Sequence, residues 1–364
     1  MERSDNKLKI LYTIPNFNTA GSGKVLYDLA KGLDKTKFEV HIACSHSKGA
    51  FFLEIEKLGL PVHIIETTCQ VRPLVTILKR IRPYRQFIKQ NKFDIVHSWH
   101  WSSDWTEVLG VKLGGAKFVY TKKAMTWGNI HWKIRSFLSD FIVTINDEMS
   151  DYFSYKSQQK LIPIGLDVEY YNSKFFQKEK NSTNKFKIIT VANLVPVKNI
   201  EILINALHEL KNQSIYLEIL GDNKTEYGLK LEELVKKKNL VKQITFLGKQ
   251  LDIRPYLANA DLCVMPSKKE GLGVALIEAM AMGKPVLGSN ASGINFILKD
   301  FPNMMFDSSN STQLAQKINE IIGKSKEERN EIGQLLRKYC EENFSLQKFI
   351  AEHEELYCKI ARNK

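Results

Sequence analysis

Short apolar runs alternate with longer amphipathic segments along this chain, and the alternation starts twice. Residues 8–14 read as a buried strand, and residues 24–33 as a helix with Val25, Leu26, Leu29, Ala30 and Leu33 on one side. Strands at 39–44, 62–65, 95–97, 117–121 and 141–145 follow, with a helix at 51–58. A polar and basic stretch, residues 170–186, reads as a linker. Strand 187–191 then restarts the pattern, followed by helix 200–210, strand 215–220, helix 228–238 and strand 262–265. Strands that are apolar throughout need cover on both faces, which helices supply in a parallel sheet. The expected fold is therefore α/β: two Rossmann-like, doubly wound domains facing a central cleft. The boundaries are placed at 1–183 and 184–345, with a helix at 346–364 returning to the first domain. Ligands in such sheets bind beyond the carboxyl ends of the strands.

Composition bounds the partners. At 364 residues the chain is long enough for about two domains, and 43% hydrophobic with 26% charged residues excludes a disordered or fibrous protein. The net charge is +13, with 28 basic and 18 acidic residues in the first 185 against 25 and 22 in the rest. Seven cations between Arg72 and Lys92 occur without one acidic residue. Such an excess favours an anionic partner: nucleic acid, a membrane surface or a phosphorylated substrate. Five cysteines without a C-x-x-C pair fit a reduced compartment, with no disulfide framework or zinc spacing. The first residues lack a signal peptide's apolar run, and no segment reaches the roughly 18 apolar residues of a membrane span. The expectation is a cytoplasmic protein, peripheral at most on the inner face of the membrane.

The segment richest in chemistry is PSKKEGLGVALIEAMAMGKP, residues 266–285. A strand runs into a loop, an acidic residue, two glycines and a helix of small residues. Gly271 and Gly273 leave the helix N-terminus open to a phosphate or a developing negative charge. Glu270 and Glu278 are eight positions apart, about two helical turns, so they can touch different parts of one elongated ligand. Acidic residues are common near helix starts, so either carboxylate alone says little.

The linked pattern says more. Glu270–seven residues–Glu278 resembles the motif of glycosyltransferase family 4, the retaining group 1 enzymes of the GT-B fold that use nucleotide-activated sugars. VANLVPVKNIEILINAL, LEILGD and ADLCVMPS upstream, with AMAMGKPV and Ala291-Ser292-Gly293 downstream, extend the resemblance across most of residues 187–300. The resemblance implies that Glu278 accepts hydrogen bonds from the nucleotide's ribose and that Glu270 holds a hydroxyl of the donor sugar. The amides at Gly271, Leu272 and Gly273 would position sugar and phosphate, and Lys198 would neutralise the donor diphosphate. Lysine suits a dianion, and a cation at a helix start otherwise opposes the dipole. The family usually carries arginine five residues before that lysine, where this chain has Asn193, so the diphosphate clamp is weaker or borrows a cation elsewhere.

In the first half, NFNTAGSGK, residues 16–24, invites a P-loop reading that fails, because Asn18 and Val25 stand where glycine and serine or threonine are required. It resembles the family's glycine loop instead, keeping Gly21 and Gly23, with a plain tight turn as the alternative. DIVHSWHWSSDW, residues 94–105, ends a strand with two histidines among three tryptophans. The family often places a histidine there against the donor sugar; His100 is the choice and His97 the alternate. YTKKAMTW, residues 120–127, offers paired lysines to an anionic acceptor or to solvent, and LIPIGLD, residues 161–167, reads as architecture.

No D-x-D triplet or metal-ligand cluster stands in the sequence, so no cofactor or metal is expected. The expected function is retaining, metal-independent transfer of a sugar, hexosyl-like, from a UDP- or GDP-sugar to a glycan or lipid-linked acceptor. Cell-surface polysaccharide or glycolipid synthesis is its setting, with an anionic membrane surface as a further partner. The alternatives are a catalytically degenerate GT-B binding protein or a basic nucleic-acid-binding protein. The basic run has few interleaved aromatics and no recognition-module motif is visible, which argues against nucleic acid, and an epimerase or phosphorylase on the same scaffold stays open.

Overall fold

The computed structural model describes residues 7–18, 20–49, 51–176 and 185–362. The chain divides into two units: Met1–Gly165 with Leu346–Lys364, and Leu166–Ser345. The boundary at 183/184 expected from sequence lies outside the described residues.

The first unit holds β1 (Leu8–Thr13), β2 (Phe38–Cys44), β3 (Val62–Ile64), β4 (Ile95–Ser98), β5 (Lys117–Lys122), β6 (Phe141–Thr144) and β7 (Gln159–Leu161). Their order is β3-β2-β1-β4-β5-β6-β7, and every described pairing is parallel. The middle of the sheet is apolar on both faces, with Ile10, Leu11, Ile42, Ile95, Val96, Phe118, Val119, Ile142 and Val143 fully buried. The C-terminal helix Leu346–Arg362 packs on this unit through Phe349 against Trp99 and Tyr357 against Tyr12 and His97. Gly32 makes room for Ile350, whose Cδ1 lies 2.1 Å from where a Cβ would be.

The second unit repeats the plan with β8 (Phe186–Val191), β9 (Ile215–Leu220), β10 (Ile244–Gly248), β11 (Leu262–Met265), β12 (Val286–Ser289) and β13 (Met305–Phe306). The order is β10-β9-β8-β11-β12-β13, again parallel. The strand order reverses direction between β1 and β4 and between β8 and β11, so each sheet has one switch point. This is the GT-B architecture of two Rossmann-like units.

Some local expectations need correction. The first helix is Ala20–Gly32, beginning four residues early, because the glycine segment joins it through a non-helical Gly21 with φ −19° and ψ −106°. Gly23 stands in a tight place: a Cβ there would lie 3.1 Å from the Phe17 ring and 3.3 Å from the Phe51 ring. The helix expected at 51–58 shortens to Phe52–Glu56. In the 170–186 stretch, Tyr171 is buried in the second unit and Ser173–Phe175 forms a 3₁₀ turn, so its described part is docked chain. Leu166 pairs with Ser345 and donates its amide to Phe344 O at 2.9 Å, so the second unit's end of the 161–167 turn is held by backbone.

Helix Lys326–Asn343 crosses the end of helix Val274–Ala281 at two glycines. A Cβ on Gly333 would lie 2.0 Å from the backbone oxygen of Gly283, itself at φ +68°. Helix propensity alone favours Gly333→Ala by up to about 1 kcal/mol, but the clash is with backbone, which moves only by shifting a whole helix, at roughly 1–3 kcal/mol. The clash wins. Gly333→Ala is expected to lower the urea midpoint without changing the slope, a net loss of about 1–2 kcal/mol; a raised midpoint would mean the helices are not in contact there.

Candidate active site

In the second unit the switch point sets two loops beside each other. The loop after β8 carries Asn193 and the 3₁₀ turn Pro196–Lys198; the loop after β11 carries Ser267 and Glu270. Lys198 Nζ lies 2.6 Å from Glu270 Oε1, and Ser267 Oγ donates to the same oxygen at 2.7 Å. Lys268 N donates to Val197 O at 2.8 Å, tying the loops through backbone as well. The buried Asn199, at φ +56°, donates to Pro266 O at 3.0 Å and Ser308 O at 2.8 Å, which holds the turn that presents Lys198. The lysine and glutamate side chains are 20% and 11% exposed, so the pair is partly desolvated yet open to a ligand.

Gly271, Leu272 and Gly273 lead into helix Val274–Ala281. Gly273 is its left-handed cap at φ +92°, where a side chain is strained. Gly293 lets the next helix sit against this bend, since a Cβ there would lie 2.7 Å from both Gly271 O and Leu272 Cα. Glu278, half-buried on the helix, accepts from Tyr171 Oη at 2.6 Å. Tyr171 is steadied by Arg337, whose Nη1 donates to the Tyr171 carbonyl at 2.9 Å. Asn193 is exposed and makes no described side-chain hydrogen bond. Ser267 and Tyr171 are additions: the serine sits in the quoted P-S pair, while nothing in the linker-like composition marks the tyrosine.

In the first unit, Gly21 and Gly23 lie in the first turns of helix Ala20–Gly32, just beyond β1. His97 belongs to the core: its ring nitrogens lie 2.6 Å from Tyr357 Oη and 2.6 Å from Thr121 Oγ1. Burial then holds its pKa well below the imidazole norm. The alternate histidine is therefore set aside, because both its nitrogens are committed inside the protein. His100 commits only Nε2, 3.0 Å from Thr67 Oγ1 and 3.9 Å from Glu107 Oε1, and burial lowers its pKa also. Thr67 lines a cavity of about 300 Å³ with Cys69, Arg80 and Tyr84.

Beneath His100 lies a buried ion pair that sequence reading missed. Glu107 and Arg135 are both fully buried, with Arg135 Nη2 at 2.6 Å from Glu107 Oε2. Ser98 Oγ donates to the same carboxylate at 2.7 Å, and Thr13 to its other oxygen. Lys122 and Lys123 follow at the end of β5. Burial first, and then the neighbouring Arg135 charge, depress each pKa to about 7. Lys122 stacks on Trp132, its Nζ 3.8 Å from the ring centroid, and donates to Thr126 O at 2.5 Å.

Among the described residues no group of three or more His, Cys, Asp or Glu is placed to hold a metal ion. No described helix is long and apolar enough to cross a membrane.

Two Rossmann-like units with one switch point each are the fold of the GT-B glycosyltransferases, and the second unit carries the Lys198–Glu270 pair with Glu278 on the helix that follows. Comparison makes the assignment particular: residues 19–170 match the family described as Glycosyltransferase Family 4, and residues 172–339 match Glycosyl transferases group 1. The chain belongs to this family and is a glycosyltransferase. It is 26% identical over 320 residues to the capsular polysaccharide biosynthesis glycosyltransferase CapH of Staphylococcus aureus, covering 80% of this chain and 85% of that one. It is 24% identical over 331 residues to the UDP-Gal:alpha-D-GlcNAc-diphosphoundecaprenol alpha-1,3-galactosyltransferase of Escherichia coli, covering 82% and 84%. In fold it matches the crystal structure of a glycosyltransferase from Rickettsia africae with a TM-score of 0.85 at 22% identity, covering 99% and 100%.

The depressed lysines have a sign that can be tested. Their folded pKa of about 7 lies below the ordinary 10.5, so between those values the unfolded chain binds more protons. Stability therefore rises with pH through that window. Lys122→Met is expected to raise stability at pH 7 and to flatten the rise between pH 7 and 9 in urea titrations. An unchanged slope would mean that Lys122 is solvated.

Proposed function

We propose that the chain is a retaining glycosyltransferase that moves a hexose-like sugar from a UDP- or GDP-sugar to a glycan or lipid-linked acceptor in cell-surface polysaccharide synthesis. The carrying observation is the Lys198–Glu270 pair at the second switch point, with Glu278 on the helix Val274–Ala281 that follows the same loop. An incoming diphosphate takes Lys198 from Glu270, which frees the carboxylate for a hydroxyl of the donor sugar. Glu278 exchanges its Tyr171 partner for ribose hydroxyls, and the amides of Gly271, Leu272 and Gly273 meet sugar and phosphate. Asn193 adds a neutral donor. Lys198 supplies charge to the leaving group, so the reaction needs no metal. Gly21, Gly23 and His100 serve the first unit's face of the reaction. The names of the relatives support the setting: one builds capsule, and another uses UDP-Gal with a diphospholipid acceptor.

UDP or GDP, among a panel with ADP and dTDP, is expected to raise the melting temperature in EDTA. Glu278→Ala should weaken that nucleotide by about tenfold or more, as loss of a charged hydrogen bond of roughly 1.5–3 kcal/mol requires. Glu270→Gln should instead lower kcat by about a hundredfold with nucleotide affinity nearly kept. Equal, small effects of both would remove these glutamates from the site, and activity lost in EDTA but restored by magnesium would refute the metal-free clamp.

The enzyme's place is the anionic face of a membrane. Val75 is 93% exposed, and Leu74 and Leu78 are exposed beside it, on the segment where Arg72, Lys79, Arg82 and Arg85 face solvent. The apolar residues of the segment that are buried are Ile77 and Ile81. Pro83 sits in the first turn of helix Arg82–Asn91, where it starts that helix without kinking it. Arg80 is occupied with the carbonyls of Gln70, Val71 and Pro73. Flotation on phosphatidylglycerol vesicles should fall as salt rises. Replacing Lys79, Arg82 and Arg85 by glutamine should weaken it about a hundredfold, at ~1 kcal/mol per cation; equal flotation on neutral vesicles would refute the docking.

A further inference from the structure

We propose that Lys123, with Trp101 and Ser22, forms an anion-binding subsite in the first unit that takes a phosphate or carboxylate carried by the acceptor. The subsite rests on the transferase reading above and names the acceptor's chemistry within it.

Three features converge on this ammonium. Lys123 Nζ donates to Ser22 Oγ at 3.2 Å and to the Trp99 carbonyl, both neutral oxygens. It lies 5.5 Å from the ring centroids of both Trp99 and Trp101. No carboxylate lies within ion-pair distance of it among the described residues. Lys122, by contrast, spends its charge on Trp132 and on a carbonyl within its own turn. The charged groups coupled to Lys123 add to the excess: Arg135 opposes its protonation, and Lys123 in turn opposes that of His97 and His100. Glu107 is already saturated by Arg135, Ser98 and Thr13.

An ammonium withdrawn from water without a counter-charge is costly. An arriving anion turns that cost into binding energy. Position fits as well: Lys123 follows β5, Trp101 follows β4 and Ser22 follows β1, so all three stand beyond the carboxyl ends of neighbouring strands, where a doubly wound sheet binds ligands. Trp101 is 51% exposed, which leaves an aromatic face for a sugar ring next to the charge. A sugar bearing an acidic group matches both halves of the subsite. That group is either the phosphate through which a lipid carries its sugar or the carboxylate of a uronic acid.

The five tryptophans, at 99, 101, 105, 127 and 132, all belong to the first unit, so their fluorescence reports this region. The full chain is titrated with sulfate, a tetrahedral dianion of constant charge near neutrality, and separately with glucuronate, against chloride at equal ionic strength. A saturable change is expected at pH 6, with affinity about tenfold weaker at pH 8 as a group of pKa about 7 loses its proton. Trp101→Phe should remove most of the signal. Lys123→Met should weaken affinity at pH 6 at least tenfold without lowering the melting temperature. Lys123→Arg should keep binding and lose its pH dependence, because guanidinium does not titrate there. Lys122→Met should stay within twofold of the parent chain. Tighter sulfate supports a phosphate-bearing acceptor, and tighter glucuronate a uronate-bearing one. A response that is unsaturable, or indifferent to Lys123, overturns the subsite. If UDP still raises the melting temperature in that case, the transferase reading stands without it.

Discussion

When two neighbouring parallel strands send their chains in opposite directions, the helices that follow them part, and the space beyond the strand ends stays open. That constraint operates between β1 and β4 and again between β8 and β11. Almost everything chemical in the molecule follows from it. The loops after β8 and β11 are brought beside each other with no helix between them, and Lys198 meets Glu270 across the gap. In the first unit the same reversal gathers Ser22, Trp99 and Lys123, which come from three separate segments.

Charge is handled differently in the two units. Lys198 and Glu270 are complementary and partly hydrated, so exchanging one partner for a ligand costs little. In the first unit Glu107 and Arg135 are removed from water altogether and are stable only because hydroxyls complete the carboxylate's shell. Lys122 and Lys123 are buried beside Arg135, and burial first, then the Arg135 charge, makes both reluctant to hold a proton. A binding site for a neutral sugar has no need of such an excess; a site for an acidic one does.

Much of this was legible in advance. Helix Ile200–Leu210 and strands Ile215–Leu220 and Leu262–Met265 fall where apolar periodicity puts them, because each must bury one stripe or two faces and few registers do so. The glutamates were legible as a spaced pair, since a loop and one helix fix their separation. Tyr171 was not: in a run of polar residues nothing local distinguishes a docked tyrosine from a linker one, and its partner Glu278 is 107 residues away. His100 was the choice and His97 the alternate at one strand end. Their difference in the fold comes from the C-terminal helix, which brings Tyr357 to His97 and leaves His100 to Thr67.

The amino-acid sequence alone thus determined the α/β class, the family and the residue types offered to a ligand, since periodicity and spacing act over a few turns of chain. Tertiary structure decided which of those residues are free to act. It closed His97 into the core, paired Lys198 with Glu270, sank Glu107 onto Arg135 and left Lys123 without a counter-charge among the described residues. The reason is that desolvation and pairing depend on neighbours from distant segments, and these become neighbours only when the sheets assemble.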